Sequence, residues 1–225
     1  IQRPLVNSKG MNISAAHGFT NVLLDILNNQ KPTHLALVLD PKGGTFRHEM
    51  YAEYKANRDA MPEDIVLAIP QIKEIVKGFN LPIIVVKNYE ADDVIGTLAK
   101  QAEKEGFTVF MMTPDKDYAQ LVSENIFMYK PSRQGNGAET LGVPEVLKKW
   151  GIQRVDQVID MLGLQGDSVD NIPGIPGIGP KTAQKLLSKY GSVKKLKVVP
   201  YPELEEVAGK KVAESIQSYF STEEE

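Results

Sequence analysis

The chain has 225 residues, of which 42% are hydrophobic and 24% are charged, and its formal net charge is −3. These ordinary values exclude a disordered or low-complexity chain, and the apolar runs are too short to cross a bilayer, so no membrane partner is expected. The absence of cysteine excludes disulfides and thiolate chemistry, and three scattered histidines disfavour a zinc site. Any metal would therefore be held by carboxylate oxygens, which suits Mg²⁺ or Mn²⁺.

Up to about Lys130 the chain alternates between helix-like and strand-like segments. In chain order, hydrophobic spacing predicts a helix over Asn12–Asn28, a strand over Thr33–Leu39, helices over Glu49–Asn57 and Pro62–Phe79, a strand over Leu81–Val86, a helix over Ala91–Glu105 and a strand over Phe107–Met112. Such alternation predicts an α/β domain with a mostly parallel central sheet flanked by helices.

From about Val143 the pattern becomes helical. Predicted helices over Val143–Trp150, Val155–Leu164, Pro180–Tyr190 and Val212–Phe220 are separated by turns rich in glycine and proline. We therefore expect two parts, an α/β core over residues 1–142 and an all-helical subdomain over 143–225. Between them, Arg133–Ala138 is expected to form a mobile surface loop or hairpin.

Carboxylates follow the predicted strands where each strand ends. They are Asp40 after the first strand, Glu90, Asp92 and Asp93 after the second, and Asp115 and Asp117 after the third. Carboxyl ends of parallel strands share one sheet edge, so we expect these groups to converge there, joined by Asp167 and Asp170 from the later Gly166–Asn171 segment. Taken singly, Asp40 or Asp92 is better explained as a helix cap or turn residue. The whole set favours one or two divalent ions and hydrolysis of a phosphodiester.

A second motif is typical of binding to a phosphate backbone. Gly177-Ile178-Gly179 allows a tight hairpin, and Pro180 suits the first position of the following helix, whose amino end can hold a phosphate. The segment from Asn171 to Pro202 contains six lysines and no acidic residue: Lys181, Lys185, Lys189, Lys194, Lys195 and Lys197. The alternative is a lysine-rich helix that only faces solvent.

Another basic segment, Thr45–Arg58, mixes charges with aromatic rings. Helical spacing would place several of its side chains on one face: Arg47, Tyr51, Tyr54, Lys55 and Arg58. Such mixtures are typical of surfaces that bind single strands. An ordinary amphipathic helix with tyrosines in the core explains the segment equally well.

These strings together resemble the 5′→3′ exonuclease (flap endonuclease) family, which includes the nuclease domain at the N-terminus of bacterial DNA polymerases. The matching strings are Thr45-Phe-Arg and Tyr54–Arg58, Tyr89–Asp93, Thr113–Asp117, and Gly166–Ala183. The resemblance implies a PIN-like nuclease core, a helical arch over about residues 41–72, a helix–three-turn–helix element and two Mg²⁺ or Mn²⁺ ions. It implies hydrolysis of DNA at 5′ ends at nicks and at 5′ flaps, on RNA-primer or DNA strands, in replication and repair.

The resemblance also implies individual roles. Asp40, Glu90 and Asp92 would serve the first metal, and Asp93 would lie beside both metals. Four aspartates would serve the second metal: Asp115, Asp117, Asp167 and Asp170. Lys55 and Arg58 would contact the scissile phosphate with Arg47 nearby, and Tyr54 would stack on the terminal base. The Gly177–Gly179 hairpin would clamp the duplex together with Lys181, Thr182 and Lys185, and its carbonyls can hold a K⁺ ion in this family.

One departure from the family pattern opens an alternative. The family begins with a strand that carries a further aspartate ligand, and nothing before Asn12 supplies it. We therefore expect the chain to lack that strand. The alternatives to an active nuclease are a DNA-binding module impaired by loss of this ligand and a related RNA-cleaving nuclease. We further expect a monomer in the bacterial cytoplasm, associated with the nucleoid, with a polymerase domain following in the same protein.

Overall fold

The computed structural model describes residues 4–131 and 138–221. Most of the Arg133–Ala138 segment, expected to be a mobile loop, lies outside the described residues. The described chain forms two compact units, one from Ile1–Glu49 with Arg58–Val94 and the other from Met50–Asn57 with Ile95–Glu225. No helix in the described part of the chain is long and apolar enough to cross a membrane.

The first unit combines a short parallel strand pair with three helices and the start of a fourth. Its elements are α1 (Ser14–Asp25), a π-helical turn (Ile26–Gln30), β1 (Leu37–Val38), α2 (Phe46–Met50), α3 (Glu63–Gly78), β2 (Ile83–Ile84) and the start of α4 (Ala91–Lys104). Leu37 pairs with Ile83 and Val38 with Ile84. Helix α1 packs against α3, and Pro70 lies inside α3 without ending it.

The second unit contains a three-stranded sheet and a 3₁₀ turn. These are β3 (Val109–Met112), the turn Lys116–Leu121, β4 (Ile126–Lys130) and β5 (Glu139–Leu141). Strand β4 pairs in parallel with β3 and antiparallel with β5. One of the two pairings in this sheet is therefore parallel and the other antiparallel, and the sequence patterns had not predicted β4 or β5.

The helices that follow pack around one hydrophobic core with this sheet. They are α5 (Val143–Trp150), α6 (Gln157–Gln165), α7 (Pro180–Tyr190), α8 (Val193–Leu196), α9 (Tyr201–Ala208) and α10 (Lys210–Ser221). A small antiparallel pair, β6 (Gly166–Asp167) with β7 (Ile172–Pro173), lies between α6 and α7. Ile126, Leu164 and Leu186 are fully buried in the core that these elements share. The predicted helical C-terminal part is thus present, and the helix–three-turn–helix element stays a prediction.

The helix expected over Glu49–Asn57 is wrong for most of its length. Helix α2 ends at Met50, and tight turns follow. Lys55 adopts a left-handed conformation with φ of +56°, which a continuous helix does not allow. The segment bends because Tyr54 is buried, with 5% of its surface exposed, and because the backbone N–H of Lys55 donates to the carbonyl of Asp170 at 3.0 Å. The predicted single basic helical face therefore does not exist.

Candidate active site

The first group of candidate ligands lies in the first unit, after β1 and β2. Asp40 is exposed, and its Oδ1 accepts a hydrogen bond at 2.8 Å from the backbone N–H of Ala91, the first residue of α4. Asp92 is also exposed in the first turn of α4, whereas Glu90 is buried with 6% exposure. The bond from Ala91 to Asp40 is the helix-capping contact that the alternative interpretation of Asp40 required. It leaves the second carboxylate oxygen of Asp40 available to another donor or to a cation.

Arg47 and Asp93 form a two-pronged ion pair within the same unit. The Arg47 Nη atoms donate to Asp93 Oδ2 and Oδ1 at 2.6 and 2.7 Å, and Asp93 Oδ2 also accepts from the backbone N–H of Glu90 at 3.0 Å. The guanidinium lies 4.7 Å from the centre of the Phe46 ring and 3.8 Å from Glu90 Oε2. Arg47 is therefore fixed by a carboxylate in this structure.

The second group of candidate ligands lies in the second unit and begins at the Thr113–Asp117 string. Asp115 Oδ1 accepts from the backbone N–H of Asp117 at 2.9 Å and so caps the 3₁₀ turn. Asp117 Oδ1 is buried and has no hydrogen-bond partner. Burial, and then the neighbouring Asp115 carboxylate, raise the pKa of Asp117 to about 6. An orphaned, desolvated carboxylate oxygen of this kind is what a bound cation would satisfy.

Lys116 supplies positive charge inside this group. Its Nζ donates to Asp167 Oδ2 at 2.9 Å and lies 3.9 Å from Asp117 Oδ1. Burial alone would lower the pKa of Lys116, but the bond to Asp167 and the surrounding carboxylates raise it. Burial likewise opposes ionisation of Asp167, yet Lys116 and the N–H of Val169 hold the pKa of Asp167 below its usual value. The Lys116–Asp167 pair is therefore ionised across the neutral range.

Asp170 is held by the bent segment that follows α2. Tyr54 Oη donates to Asp170 Oδ2 at 3.1 Å, and Lys55 Nζ lies 3.8 Å from the same oxygen. On either side, Asn57 donates to the carbonyl of Ser168 at 2.8 Å and Asn171 donates to the carbonyl of Glu53 at 2.7 Å. The structure thus brings together Lys55, which was expected at the scissile phosphate, and Asp170, which was expected at the second metal. Tyr54 is buried here, so stacking on a base would require its ring to leave this contact.

Two glycines allow the loop that carries Asp167 and Asp170 to close. Gly166 has φ of +74°, and a Cβ there would lie 2.3 Å from the backbone N of Gly174. A Cβ at Gly174 would lie 2.3 Å from the carbonyl carbon of Gln165. The two chain segments therefore cross at a distance that only glycine permits. This crossing fixes the β6–β7 hairpin, in which Asp167 ends β6 and Asp170 lies in the turn that joins the two strands.

The predicted phosphate clamp has the expected local geometry. Gly177 has φ of +86°, and Gly179 lies directly before α7, which begins with Pro180. Lys181 and Lys185 are exposed four residues apart, while the opposite side of α7 is buried through Ala183, Leu186 and Leu187. Thr182 is half-buried in the first turn of the helix. Lys189, by contrast, is paired with Glu203 at 3.4 Å.

A cation at the second carboxylate group fits the donor set but would have to displace side-chain contacts. Among the described residues, no three histidine, aspartate or glutamate side chains are arranged around a single ion position. The contacts above explain this, since Lys116 engages Asp167 and Tyr54 engages Asp170. The donors are all carboxylates, and one of their oxygens is orphaned, which matches the preference of Mg²⁺ and Mn²⁺.

Sequence comparison identifies the family. A family model described as the 5′-3′ exonuclease N-terminal resolvase-like domain matches residues 1–151, and one described as the 5′-3′ exonuclease C-terminal SAM fold matches residues 153–223. The chain belongs to the 5′-3′ exonuclease family. DNA polymerase I of Bacillus subtilis is 40% identical over 96% of this chain, which spans 24% of that relative. A 5′-3′ exonuclease of Aquifex aeolicus is 42% identical over 86% of the chain, which spans 65% of that protein.

Solved structures confirm the fold of this 5′-3′ exonuclease family member. T5 5′-exonuclease with bound zinc ions has a TM-score of 0.72 at 19% identity, covering 92% of this chain and 77% of that one. The catalytic core of Rad2 in complex with DNA has a TM-score of 0.59 at 19% identity, covering 94% and 65%. The predicted combination of a PIN-like α/β core and a helical C-terminal part is therefore confirmed.

The structure adds residues that the sequence patterns did not single out. Lys116 appeared only as the fourth residue of the Thr113–Asp117 string, yet its position between two aspartates is a signal that could have been used. Gly166 and Gly174 gave no such signal, because their role depends on a crossing of two segments. The individual roles of the carboxylates, the arch residues and the hairpin, and the convergence of all the carboxylates at one edge, stay predictions.

Proposed function

We propose that the chain is a divalent-metal-dependent nuclease that hydrolyses DNA phosphodiesters at 5′ ends and 5′ flaps, acting as 5′→3′ exonuclease and flap endonuclease. The observation that carries this proposal is the second carboxylate group. It combines an orphaned buried oxygen on Asp117 with three further aspartates in a chain of the 5′-3′ exonuclease family. The relatives named DNA polymerase I support a role on primers and nicks within a longer protein that carries a polymerase domain.

Two Mg²⁺ or Mn²⁺ ions are the proposed cofactors. Asp40, Glu90 and Asp92 would hold the first ion, with Asp93 beside it, and the second ion would be held by Asp115, Asp117, Asp167 and Asp170. Bound there, such ions supply an activated water and stabilise the charge that develops on the attacking and leaving oxygens. The solved T5 5′-exonuclease with bound zinc supports a divalent ion in a protein of this fold.

The chain's own residues bind and orient the DNA. The amino end of α7 and the exposed Lys181 and Lys185 would hold the duplex backbone without reading bases, because contacts to phosphate carry no sequence information. Lys55 and Arg58 would contact the scissile phosphate. Lys55 now lies 3.8 Å from Asp170, so its ammonium is close to a candidate metal ligand before any substrate binds. A K⁺ ion at the Gly177–Gly179 carbonyls and a monomeric state are part of the same proposal.

The proposal is tested by cleavage of a labelled 5′-flap duplex. We expect cleavage with Mn²⁺ or Mg²⁺ and none in EDTA, and we expect Asp117→Asn to lower the rate roughly a hundredfold or more, the scale for losing a preorganised electrostatic group. Asp156→Asn is the matched control, because Asp156 is an exposed aspartate paired with Arg154 at 3.0 Å, and its rate should stay within about twofold.

The same experiment decides between the nuclease and the DNA-binding module. Flap binding without cleavage at millimolar Mn²⁺ would favour a module that has lost its chemistry. Crystals soaked in Mn²⁺ provide a second measurement, since anomalous density beside Asp117 and Asp167 is expected. Cleavage that persists unchanged in EDTA or in Asp117→Asn would refute the metal-dependent nuclease.

A further inference from the structure

Lys116 is the only positively charged residue within the Thr113–Asp117 string, and its ammonium turns toward two candidate metal ligands. Nζ lies 2.9 Å from Asp167 Oδ2 and 3.9 Å from Asp117 Oδ1. The Asp167 side chain is 11% exposed, and that of Lys116 is 43% exposed. The charged end of Lys116 is therefore at the carboxylates, and the side chain as a whole is partly in contact with water.

The Lys116 ammonium offsets negative charge that a bound divalent ion would otherwise offset. The carboxylates of Asp117 and Asp167 repel each other, and the Lys116 ammonium, at 3.9 Å from one and 2.9 Å from the other, offsets that repulsion. Yet Asp117 Oδ1 stays without a hydrogen-bond partner, because 3.9 Å is too long for a hydrogen bond. One lysine therefore compensates this group only in part.

We propose that Lys116 is an internal counter-cation that competes with the second divalent ion and sets the affinity of that position. The inference rests on the proposed function in one respect, that these carboxylates take a divalent ion. The oxygen that Lys116 occupies on Asp167 is one that an ion between Asp167 and Asp117 would need, and two cations a few ångströms apart repel each other. Lys116 must therefore withdraw from Asp167 when the ion binds.

Lysine is the residue type suited to such an exchange. Its ammonium is a compact charge on a flexible stem, and it does not lock a carboxylate in two-pronged geometry as arginine does. With 43% of its side chain exposed, Lys116 has solvent to withdraw into. Lys55, at 3.8 Å from Asp170 and with a side chain only 15% exposed, lacks that freedom, so the inference concerns Lys116 alone.

The affinity for Mn²⁺, measured by electron paramagnetic resonance of the free ion in titrations of the intact chain, tests this inference. Lys116→Met keeps the length of the stem and removes the charge, and we expect it to bind Mn²⁺ roughly tenfold more tightly, the scale of one charged hydrogen bond discounted for exposure. Lys116→Arg keeps the charge and can hold the Asp167 carboxylate with two donors, so it should bind Mn²⁺ no more tightly than the parent. Lys100→Met is the control, because Lys100 pairs with Glu103 at 3.2 Å and its side chain is 44% exposed, and it should leave the affinity unchanged.

The outcomes separate this inference from the proposed function. Equal or weaker Mn²⁺ binding by Lys116→Met, with binding intact in the parent, would overturn the competition while the metal-dependent nuclease stands. Absence of Mn²⁺ binding in both proteins would overturn both. Circular dichroism of each variant shows that it is folded.

Lysine labelling gives a second measurement that does not depend on a variant. Acetylation by an N-hydroxysuccinimide ester, followed by peptide mass spectrometry, reports how available each ammonium is. Ca²⁺, added in place of a catalytic ion, should increase labelling of Lys116 several-fold and leave Lys100 unchanged. Equal labelling of Lys116 with and without the ion, under conditions in which the ion binds, would show that the lysine does not withdraw.

Discussion

Replacing Gly174 with alanine tests whether the crossing of two chain segments fixes the loop that carries Asp167 and Asp170. The added Cβ would lie 2.3 Å from the Gln165 carbonyl carbon, 2.4 Å from the Gly166 N and 2.5 Å from the Gln165 O. All three atoms belong to the backbone, so no side-chain rotation can relieve the contact. The β6–β7 pair must therefore separate.

The magnitude follows from what this separation breaks. Forcing a methyl group into packed structure costs about 1–3 kcal/mol, and each hydrogen bond lost adds about 1 kcal/mol. The bonds at risk include the 2.9 Å bond from the Ile175 N–H to the Leu164 carbonyl, and Ile175 itself is 3% exposed. We expect a total loss of about 3–4 kcal/mol in the free energy of unfolding, which lowers the melting temperature by about 10 °C in a chain of this size.

Urea denaturation and thermal melting measure this loss, and Gly163→Ala is the matched control. Gly163 lies in α6, is exposed, and a Cβ there would have no atom within 4 Å. Alanine at that position should stabilise the chain by about 0.5–1 kcal/mol, because glycine disfavours a helix. A Gly174→Ala variant whose unfolding free energy lies within about 1 kcal/mol of the parent would refute the crossing as the feature that fixes this loop.

Three further predictions follow from other contacts. Lys181→Ala and Lys185→Ala should weaken binding to any duplex and reduce the slope of log affinity against log salt by about 0.9 per lost phosphate contact, and an unchanged slope in fluorescence anisotropy would show that these lysines only face solvent. The Gln157 side chain is 1% exposed, accepts from two backbone N–H groups and donates to the Gly191 carbonyl. Gln157→Leu should therefore lower the free energy of unfolding in urea by roughly 3 kcal/mol, and a loss under about 1 kcal/mol would contradict this. Burial raises the pKa of Asp160 in the folded chain above about 4, its value in an unfolded chain. As the pH rises above about 4, ionisation of Asp160 therefore lowers the free energy of unfolding. The Asp160→Asn substitution should raise that free energy more at pH 7 than at pH 4, and equal increases in urea titrations at both pH values would be inconsistent with the shift.

The sequence predicted elements best where local signals and tertiary structure agree. Helix α7 begins at Pro180 and ends before Gly191, which has φ of +84°, and both residues are recognisable end signals in the sequence. The helix predicted over Glu49–Asn57 is wrong for most of its length. Its charge spacing suggested a helix, whereas burial of Tyr54 and the hydrogen bond to the Asp170 carbonyl bend the chain at Lys55. Spacing along the chain contains no information on a contact with a segment more than a hundred residues away.

The candidate site shows the same limit. Strand ends can be recognised in a sequence, and so can the carboxylates that follow them. The structure places Asp40 after β1 and Asp115 after β3. The partners of those carboxylates were not visible. Arg47 was assigned to DNA from its place in a basic segment, but it donates to both oxygens of Asp93. Charge alone does not tell whether a basic side chain faces a phosphate or a carboxylate of its own chain.

The side chains of Arg47 and Lys116 offset the charge of clustered carboxylates when the chain folds without a metal ion. Repulsion between neighbouring carboxylates opposes folding, so compensation must come from the chain itself. In the first unit Arg47 provides it through a fork that matches both oxygens of Asp93, a geometry that favours a permanent contact. In the second unit Lys116 provides it through a single flexible ammonium on Asp167. The first arrangement suits a structural pair, and the second suits the exchange of cations proposed for Lys116. We therefore expect Asp93 and Asp167 to serve different purposes, although both lie in acidic motifs.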